Sequence, residues 1–167
     1  NGSVVGWGGN SKGETNPQRG PLVAISAGGY HSLGLRKDGS VVGWGGNEKG
    51  ETDTRQETFV AISADGKHSL GLNADGSVDG WGLNGYGLVH KGPFVAISAG
   101  DTHSLGLRPN GSVVGWGGWN RSGETDPQKG SFLRTPGNKP IVSKTSTKKP
   151  AGSVSVKKTN STPDRFK

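Results

Sequence analysis

Apolar residues alternate with small or polar residues in a short unit that recurs along this chain. In residues 23–47, VAISAGGYHSLGLRKDGSVVGWGGN, the alternation covers residues 23–27 and again residues 31–35. Successive side chains of a β-strand point to opposite faces of its sheet, so a period of two residues is typical of a strand. The unit therefore predicts two adjacent strands, and no segment of the chain shows the period that predicts a helix.

A turn signal separates the second predicted strand from a third one. Each complete copy of the unit carries Asp-Gly or Asn-Gly at this place, and a type I′ turn favours these dipeptides because it needs positive φ at both central residues. We therefore predict a β-hairpin at each of them. The dipeptides are Asp38-Gly39, Asp75-Gly76 and Asn110-Gly111.

The third predicted strand has one bulky face and one nearly bare face. Residues 40–45 place Val42 and Trp44 on one face, and Val41 and Gly43 on the other. Glycine weakens a strand, and it often marks a place where another group approaches the backbone closely. We expect the indole of one sheet to approach the glycine-lined backbone of its neighbour, so that stacked sheets form the core.

The unit recurs at a nearly fixed spacing. Complete copies occupy residues 60–84 and 95–120, and residues 1–10, NGSVVGWGGN, match only its last third. Self-similarity with a period of about 20 to 50 residues is typical of propellers, solenoids and arrays. The successive spacings are 37, 37 and 35 residues between Trp7, Trp44, Trp81 and Trp116.

The order of these motifs resembles the repeat of the regulator of chromosome condensation family. VAISAG, two further residues, HSLGL, DGSVVGWG and a polar connector with Gly-Glu-Thr follow one another over residues 1 to roughly 127, and four Gly-Trp-Gly and three His-Ser-Leu copies stay in register. The resemblance implies an all-β fold, a β-propeller of about seven blades with four antiparallel strands each. The connectors and the high internal identity resemble the bacterial members more than the founding eukaryotic exchange factor.

On this resemblance, a repeat domain covers residues 1–133 and supplies about three and a half blades. We expect a partial blade at residues 1–10 and blades at about residues 22–47, 59–84 and 94–120. This is fewer than the 4 to 8 blades that usually close a ring. We expect the chain to be a fragment of a longer propeller; a gene prediction cut short, and an arc that completes a ring by self-association, are the alternatives.

The composition mainly excludes certain kinds of chemical site and of membrane-spanning segment. Apolar residues make up only 28% of the chain, but its 32 glycines bring the sum to about 47%, which is ordinary for a globular protein. The chain has no Cys, which excludes disulfides, a thiol nucleophile and a cysteine-ligated metal. It also has no apolar run near the roughly 18 residues that span a bilayer.

The last 34 residues differ in composition from the repeats. Residues 134–167 contain nine Lys or Arg and one acid, Asp164, a balance of +8, whereas residues 1–133 have a balance of −1, which together give the net +7. So few apolar residues cannot offset the entropy cost of ordering, and we expect a disordered basic tail. Nucleic acid or another anionic surface is a possible partner of this tail only, through Lys144, Lys148, Lys149, Lys157 and Lys158.

One histidine recurs at the same place in every complete copy, and the residue before it differs each time. The interpretation we favour is that each imidazole begins an inner strand and bonds neighbouring backbone, since a repeated residue is first explained by the repeat. The alternative is that this position lies on the loop face where family members dock partners. The pairs are Tyr30-His31, Lys67-His68 and Thr102-His103.

The histidines and the end of the repeats offer two further candidate sites. A metal site is not predicted, because the three histidines belong to successive blades and no ligand spacing supports one. Trp119 is inserted within the last copy and belongs to no repeat position. It is a candidate anchor for a partner, since Trp is often an interface hot spot, or else it covers the end of the array.

These features predict a non-catalytic module that binds another protein, with no cofactor. The alternative is guanine-nucleotide exchange or a chromatin-associated regulator of a small GTPase, as the founding family member implies, with the basic tail on nucleic acid. Exchange would need a loop wedge that protrudes from a blade, and the even spacings leave no insertion to form one.

Overall fold

The alternating runs of each repeat form β-strands in a computed structural model of the chain, which describes residues 2–53, 56–83 and 89–117. Within these ranges, no helix is long and apolar enough to span a membrane. The strands are β1 (Leu22–Ala27), β2 (His31–Arg36), β3 (Val41–Gly45), β4 (Ala61–Asp65), β5 (His68–Leu72), β6 (Val78–Gly82), β7 (Ala96–Ala99), β8 (His103–Leu107) and β9 (Val113–Gly117).

The nine strands form three separate antiparallel sheets, in the orders β1-β2-β3, β4-β5-β6 and β7-β8-β9. We call the three strands of each sheet, in chain order, its inner, middle and outer strand. In the first sheet, β1 pairs with β2 and β2 pairs with β3, and His31 lies opposite Gly45. The other two sheets repeat this register, with His68 opposite Gly82 and His103 opposite Gly117. The predicted all-β tandem repeat of blade-like sheets is therefore confirmed.

Each described sheet has three strands, so the four strands expected from the resemblance were wrong for this part of the chain. Among the described residues, a fourth strand beside β6 is represented by one isolated bridge between Val78 and His90. Val4 and Gln18 form an equivalent isolated bridge before β1. Both bridging segments contain proline close by, at Pro17 and Pro93. Pro17 directly precedes the bridging Gln18, and since proline has no amide hydrogen to donate, it cannot extend the pairing on that side.

The predicted hairpins lie at the predicted dipeptides, but their turns are longer than expected. The amide of Gly39 donates to the carbonyl of Arg36, and the amide of Arg36 donates to Ser40, which leaves a three-residue loop. Gly39 has φ of 87°, as the glycine of such a loop requires. The Asp38 carboxylate accepts bonds from both the amide and the hydroxyl of Ser40, at 2.9 and 2.7 Å, and this favours the longer loop.

The apolar core lies between consecutive sheets. One side of each sheet, here called its back face, carries two leucines and a valine, and the opposite side, its front face, carries an isoleucine, an alanine and a tryptophan. The back face of one sheet packs on the front face of the next. The first cluster contains Leu33, Leu35 and Val41 against Phe59, Ile62, Ala64 and Trp81, and the second contains Leu70, Leu72 and Val78 against Phe94, Ile97, Ala99 and Trp116.

The expectation that the bare face of the third strand receives the indole of a neighbouring sheet was wrong, because a Cβ atom at Gly43 would collide with Thr52 of the connector. The glycines of the second and third middle strands, Gly71 and Gly106, make room for phenylalanine rings. A Cβ atom at Gly71 would collide with the ring of Phe59, which belongs to the same repeat. The indole of Trp81 instead stacks on that ring at 5.8 Å between centroids and reaches the leucines of the preceding sheet. Gly106 and Phe94 repeat this arrangement in the third sheet.

Replacing Gly71 by Ala should therefore lower the free energy of unfolding by about 1–3 kcal/mol, the usual cost of overpacking a core. The added methyl group has nowhere to go, because Phe59 is itself only 3% exposed. Urea unfolding followed by circular dichroism measures the change. Gly9→Ala is the control, since its Cβ would meet nothing nearer than a Glu14 oxygen at 3.8 Å. Equal stability of the two variants would show that the ring shifts freely.

Candidate functional site

The Gly-Glu-Thr connectors are folded turns that present one carbonyl group to the next sheet. In the second connector, Gly50 has φ of 83°, which favours glycine. The Glu51 carboxylate accepts the amide of Lys49 at 2.7 Å, and the Asn47 side chain accepts the amide of Thr52 at 2.8 Å. The first connector repeats these bonds around Glu14. The recurring tripeptide is therefore explained by the conformation of the connector.

A chain of hydrogen bonds crosses from one sheet to the next at this carbonyl. The Glu51 carbonyl accepts the Ser69 hydroxyl at 2.8 Å and the Trp81 indole N–H at 2.9 Å. The Ser69 oxygen also lies 3.0 Å from Nε2 of His31. Because the single hydroxyl hydrogen goes to the carbonyl, His31 must be the donor, with its hydrogen on Nε2.

The same bonds recur along the array. Nε2 of His68 lies 3.0 Å from the Ser104 hydroxyl. The Glu14 carbonyl accepts Ser32 and Trp44, each at 2.9 Å. A second contact repeats beside it, in which a serine hydroxyl of one sheet accepts an amide of the next, each at 2.9 Å. These pairs are Ser26 with Ala64 and Ser63 with Ala99.

The predicted histidines lie inside this interface rather than on the surface. His31 and His68 begin β2 and β5 and are 1% and 0% exposed. Their Nε2 atoms bond a serine hydroxyl of the next sheet, where a bond to backbone had been expected. His103 begins β8 and is half-buried on the back face of the third sheet. Direct contact of His31 or His68 with a partner would require the sheets to separate.

The residues before the histidines do lie together at the surface. Tyr30, Lys67 and Thr102 are exposed in the turns between the inner and middle strands of the three sheets. The turns touch, since the amide of Gly29 donates to the carbonyl of Gly66 at 3.2 Å, and a Cβ at Gly66 would collide with Asp101. We call this surface the rim, comprising residues 28–30, 65–67 and 100–102.

Charged groups of both signs lie close to the rim. Lys12 and Glu48 form an ion pair of 2.9 Å between the first two connectors. The hydrogen bond from Lys12 lowers the pKa of the Glu48 carboxyl, and the positive charge of Lys67 adds to this effect. Both side chains of the pair are well exposed, so the pair contributes little to stability. The pair places a positive charge near Tyr30 and a negative charge near Lys67.

The described residues offer little else for chemistry. Across residues 2–53, 56–83 and 89–117, no three His, Asp or Glu side chains come close enough to bind a metal ion. Trp119 and the tail residues Lys144, Lys148, Lys149, Lys157 and Lys158 lie outside the described residues. Their proposed roles remain predictions.

A groove at the front face of the first sheet was missed at the sequence level. Ile25 is 62% exposed there, whereas its counterparts Ile62 and Ile97 are 7% and 5% exposed. Trp7 is likewise 85% exposed. The groove has a volume of about 320 Å³ and is lined by Val5, Trp7, Ile25, Ala27 and Trp44, among others. Aligning the copies would have found it, because each front face is covered by the copy before it.

The serine partners of the histidines were also missed. Ser32, Ser69 and Ser104 directly follow the histidines in all three copies. In a strand this places histidine and serine on opposite faces of one sheet. His31 and His68 therefore reach Ser69 and Ser104 of the next sheet. The recurrence of the His-Ser pair was the available signal.

In the part of the chain that the structure describes, consecutive repeated sheets bury their faces against one another, and their turns form a continuous row at one edge. This arrangement defines a repeat scaffold of the β-propeller class. The family described as "Regulator of chromosome condensation (RCC1) repeat" matches residues 22–51, 59–88 and 94–124. These three matches cover more than half of the chain. The chain therefore belongs to the regulator of chromosome condensation (RCC1) repeat family.

Solved structures support the fold. The chain is similar to Prp20p from Saccharomyces cerevisiae, studied for its binding to Gsp1p and histones, with a TM-score of 0.56 and 20% identity, over 66% of this chain and 40% of that one. It is similar to the CRINKLY ectodomain of the Arabidopsis thaliana receptor kinase ACR4, with a TM-score of 0.55 and 26% identity, over 67% and 42%. It is also similar to human WBSCR16, with a TM-score of 0.54 and 20% identity, over 65% of this chain and 41% of that one.

The chain spans about two fifths of the length of these three structures. No curated protein sequence matches it at a significant level.

Acid should weaken the contact between the second and third sheets through His68. Burial lowers the pKa of His68 from 6.5 to about 4; Asp65 and Asp101 oppose this, whereas His31 and His103 add to it. The unfolded chain therefore binds a proton at higher pH than the folded one, and stability falls as the pH drops from about 6.5 to about 4. A shift of this size corresponds to about 3 kcal/mol.

Urea midpoints measured across this pH range test the effect. His68→Gln keeps a side-chain N–H that can bond Ser104 but has no titrating group, so its stability should vary less with pH than that of the parent chain. An identical pH profile for the two proteins would rule out His68 as the source.

Proposed function

We propose that this chain is a non-catalytic module that binds a protein partner through the rim, with Tyr30, Lys67 and Thr102 in contact with the partner. His31 and His68 then act behind the contact surface by holding neighbouring sheets together. His103 lies at the end of the described array, and Trp119 remains a candidate anchor beyond it.

The observation that carries this proposal is the difference between repeated and variable positions. VAISA and HSLGL recur unchanged in all three copies, and the contacts between sheets account for their isoleucines, leucines and histidines in the interior of the array, although Val23 and Val60 also repeat and are exposed. The residue before the histidine varies from Tyr to Lys to Thr and is exposed each time. Packing does not explain its identity, whereas recognition of a partner would.

The setting of these residues also favours binding. Exposed loops on a rigid scaffold are common sites of recognition, because the scaffold holds them in place without further loss of entropy. Here the carbonyl of Tyr30 accepts the amide of Gly46 at 2.7 Å, and the carbonyl of Lys67 accepts the amide of Leu83 at 2.9 Å. Tyrosine is moreover enriched at protein interfaces. The rim therefore presents an aromatic side chain and a cation from a fixed backbone.

A small GTPase or a chromatin protein is the alternative partner. Prp20p is described with Gsp1p and histones as its partners. At 20% identity this similarity concerns the fold, and it favours a protein partner for this chain without identifying one. The rim proposal does not depend on which of these proteins is bound.

The combined substitution of Tyr30, Lys67 and Thr102 by serine should weaken partner binding at least about tenfold without unfolding the chain. All three side chains are exposed, so stability should change by less than about 0.5 kcal/mol each. Partner proteins captured from a cell extract and quantified by mass spectrometry should fall at least about tenfold for the variant, the effect of losing about 1.4 kcal/mol of binding energy.

A matched control exists at the opposite edge of the sheets. Lys37, Ala74 and Pro109 occupy the equivalent variable, exposed position in the three turns between middle and outer strands. Their combined substitution by serine should leave the captured proteins unchanged. If the control variant loses the partner and the rim variant keeps it, then binding occurs at the opposite edge and the proposal is wrong.

We also propose that residues 134–167 bind nucleic acid. The observation is their charge balance of +8 against −1 for the rest of the chain. Lysines that neutralise phosphates release counterions, so the affinity should fall steeply with salt. Replacing Lys144, Lys148, Lys149, Lys157 and Lys158 by Gln keeps the length and removes five charges.

This variant should bind duplex DNA at least about tenfold more weakly than the parent chain in fluorescence-anisotropy titrations at low salt. Its salt dependence should also be shallower. The rim variant serves as the control, since it should bind DNA nearly as the parent does. Equal, weak binding by the parent and the lysine variant at about 150 mM salt would contradict the proposal.

A further inference from the structure

The three hairpin turns between middle and outer strands differ at one chemically reactive position. The residue before the turn glycine is Asp38 in the first copy and Asp75 in the second, but it is Asn110 in the third. An asparagine that precedes glycine is prone to lose its side-chain amide, because glycine has no side chain to shield its own backbone nitrogen. Asn110 is exposed, so water reaches it. Of the three turns, the third therefore offers a reactive amide.

The side-chain oxygen of Asn110 accepts two hydrogen bonds from one neighbour. The donors are the backbone amide of Ser112 at 3.0 Å and the Ser112 hydroxyl at 2.7 Å. A bond from the amide two residues further along curls the asparagine side chain back over the peptide of Gly111. The side-chain carbon Cγ and the Gly111 nitrogen, which form a succinimide ring when they join, are therefore kept on the same side of the turn.

We propose that Asn110 deamidates without an enzyme and that Ser112 accelerates the reaction. The Gly111 nitrogen attacks Cγ of Asn110 and gives up its hydrogen, and the side-chain nitrogen leaves as ammonia. Water then opens the succinimide at either carbonyl, which yields aspartate or isoaspartate. Negative charge develops on Oδ1 of Asn110 during the attack, and the two donors of Ser112 already bond this oxygen, as the donors of an oxyanion hole do.

One bond of the turn opposes the reaction. The Gly111 amide donates to the carbonyl of Arg108 at 2.9 Å, and this hydrogen must be released when the nitrogen attacks. Arg108 and Asn110 are exposed, so water competes for the same hydrogen. A change of the Ser112 side chain leaves the bond between Gly111 and Arg108 in place. Variants at Ser112 therefore isolate the contribution of its hydroxyl to the rate.

The first two copies show that the turn accommodates the aspartate product. The Asp38 carboxylate accepts the amide and the hydroxyl of Ser40 at 2.9 and 2.7 Å, and Asp75 accepts those of Ser77 at 2.8 and 2.6 Å. The hydroxyl bond and then the amide bond lower the pKa of each aspartate, so both stay ionised at neutral pH. An ionised carboxylate resists attack by a nucleophile. Deamidation therefore makes the third turn like the other two and adds a lasting negative charge to this edge.

Peptide mapping by mass spectrometry, in a time course on the full 167-residue chain at neutral pH, measures the loss of each asparagine amide. Asn110 should convert to aspartate and isoaspartate. Ser112→Ala removes the hydroxyl donor and should slow this conversion about two- to tenfold, the effect of one exposed hydrogen bond in the transition state. Ser112→Thr keeps a hydroxyl at the same place and should react like the parent.

The dipeptide Asn84-Gly85 provides an internal reference in the same samples. It is followed by Tyr86 and so has no serine or threonine hydroxyl at the place of Ser112. Its conversion rate should be the same in the parent and in both Ser112 variants, which removes differences of buffer and temperature from the comparison. Asn110→Asp is the product standard, and far-UV circular dichroism checks that every variant is folded.

The time course runs until Asn84 has been converted. The proposal is overturned if Asn110 still keeps its amide at that point. It is also overturned if folded Ser112→Ala converts Asn110 as fast as the parent or faster, since the Ser112 hydroxyl would then hold the amide in an unreactive state, or if Ser112→Thr is as slow as Ser112→Ala.

Discussion

The contact between consecutive sheets is the interaction on which the rest of this structure depends. Each three-stranded sheet is too thin to bury its own side chains, so its leucines lose contact with water only against the isoleucine and tryptophan of the next sheet. The buried histidine adds a directed bond at the polar end of this contact. Burial favours the contact, and the hydrogen bonds determine its register.

This dependence accounts for which residues repeat and which do not. A change at a leucine, the histidine or the serine after it would disturb two sheets, whereas a change at Tyr30, Lys67 or Thr102 disturbs none. The chain is therefore free to vary at the rim, as it is at Lys37, Ala74 and Pro109 at the opposite edge, where the turns remain aligned by the sheets behind them.

The periodic part of the fold could be predicted from the sequence because the signal is local and repeated. Alternation over five residues, a turn dipeptide and a spacing of 37 residues indicate strands, hairpins and tandem sheets, and all three are observed. The length of each hairpin loop could not be predicted this way, since it depends on the bonds between Asp38 and Ser40. The missing fourth strand likewise depends on whether the connector lies along the outer strand.

The sequence by itself determined the all-β repeat, its copy number and the candidate positions beside the histidines, because those follow from patterns within one unit. Only the tertiary structure decided that His31 and His68 are buried while Tyr30 and Lys67 are exposed, since each histidine begins a strand that packs on the next sheet and the residue before it lies in the turn. It also decided that Gly71 accommodates Phe59 and that Ile25 stays open. Those outcomes depend on contacts between groups far apart in the chain.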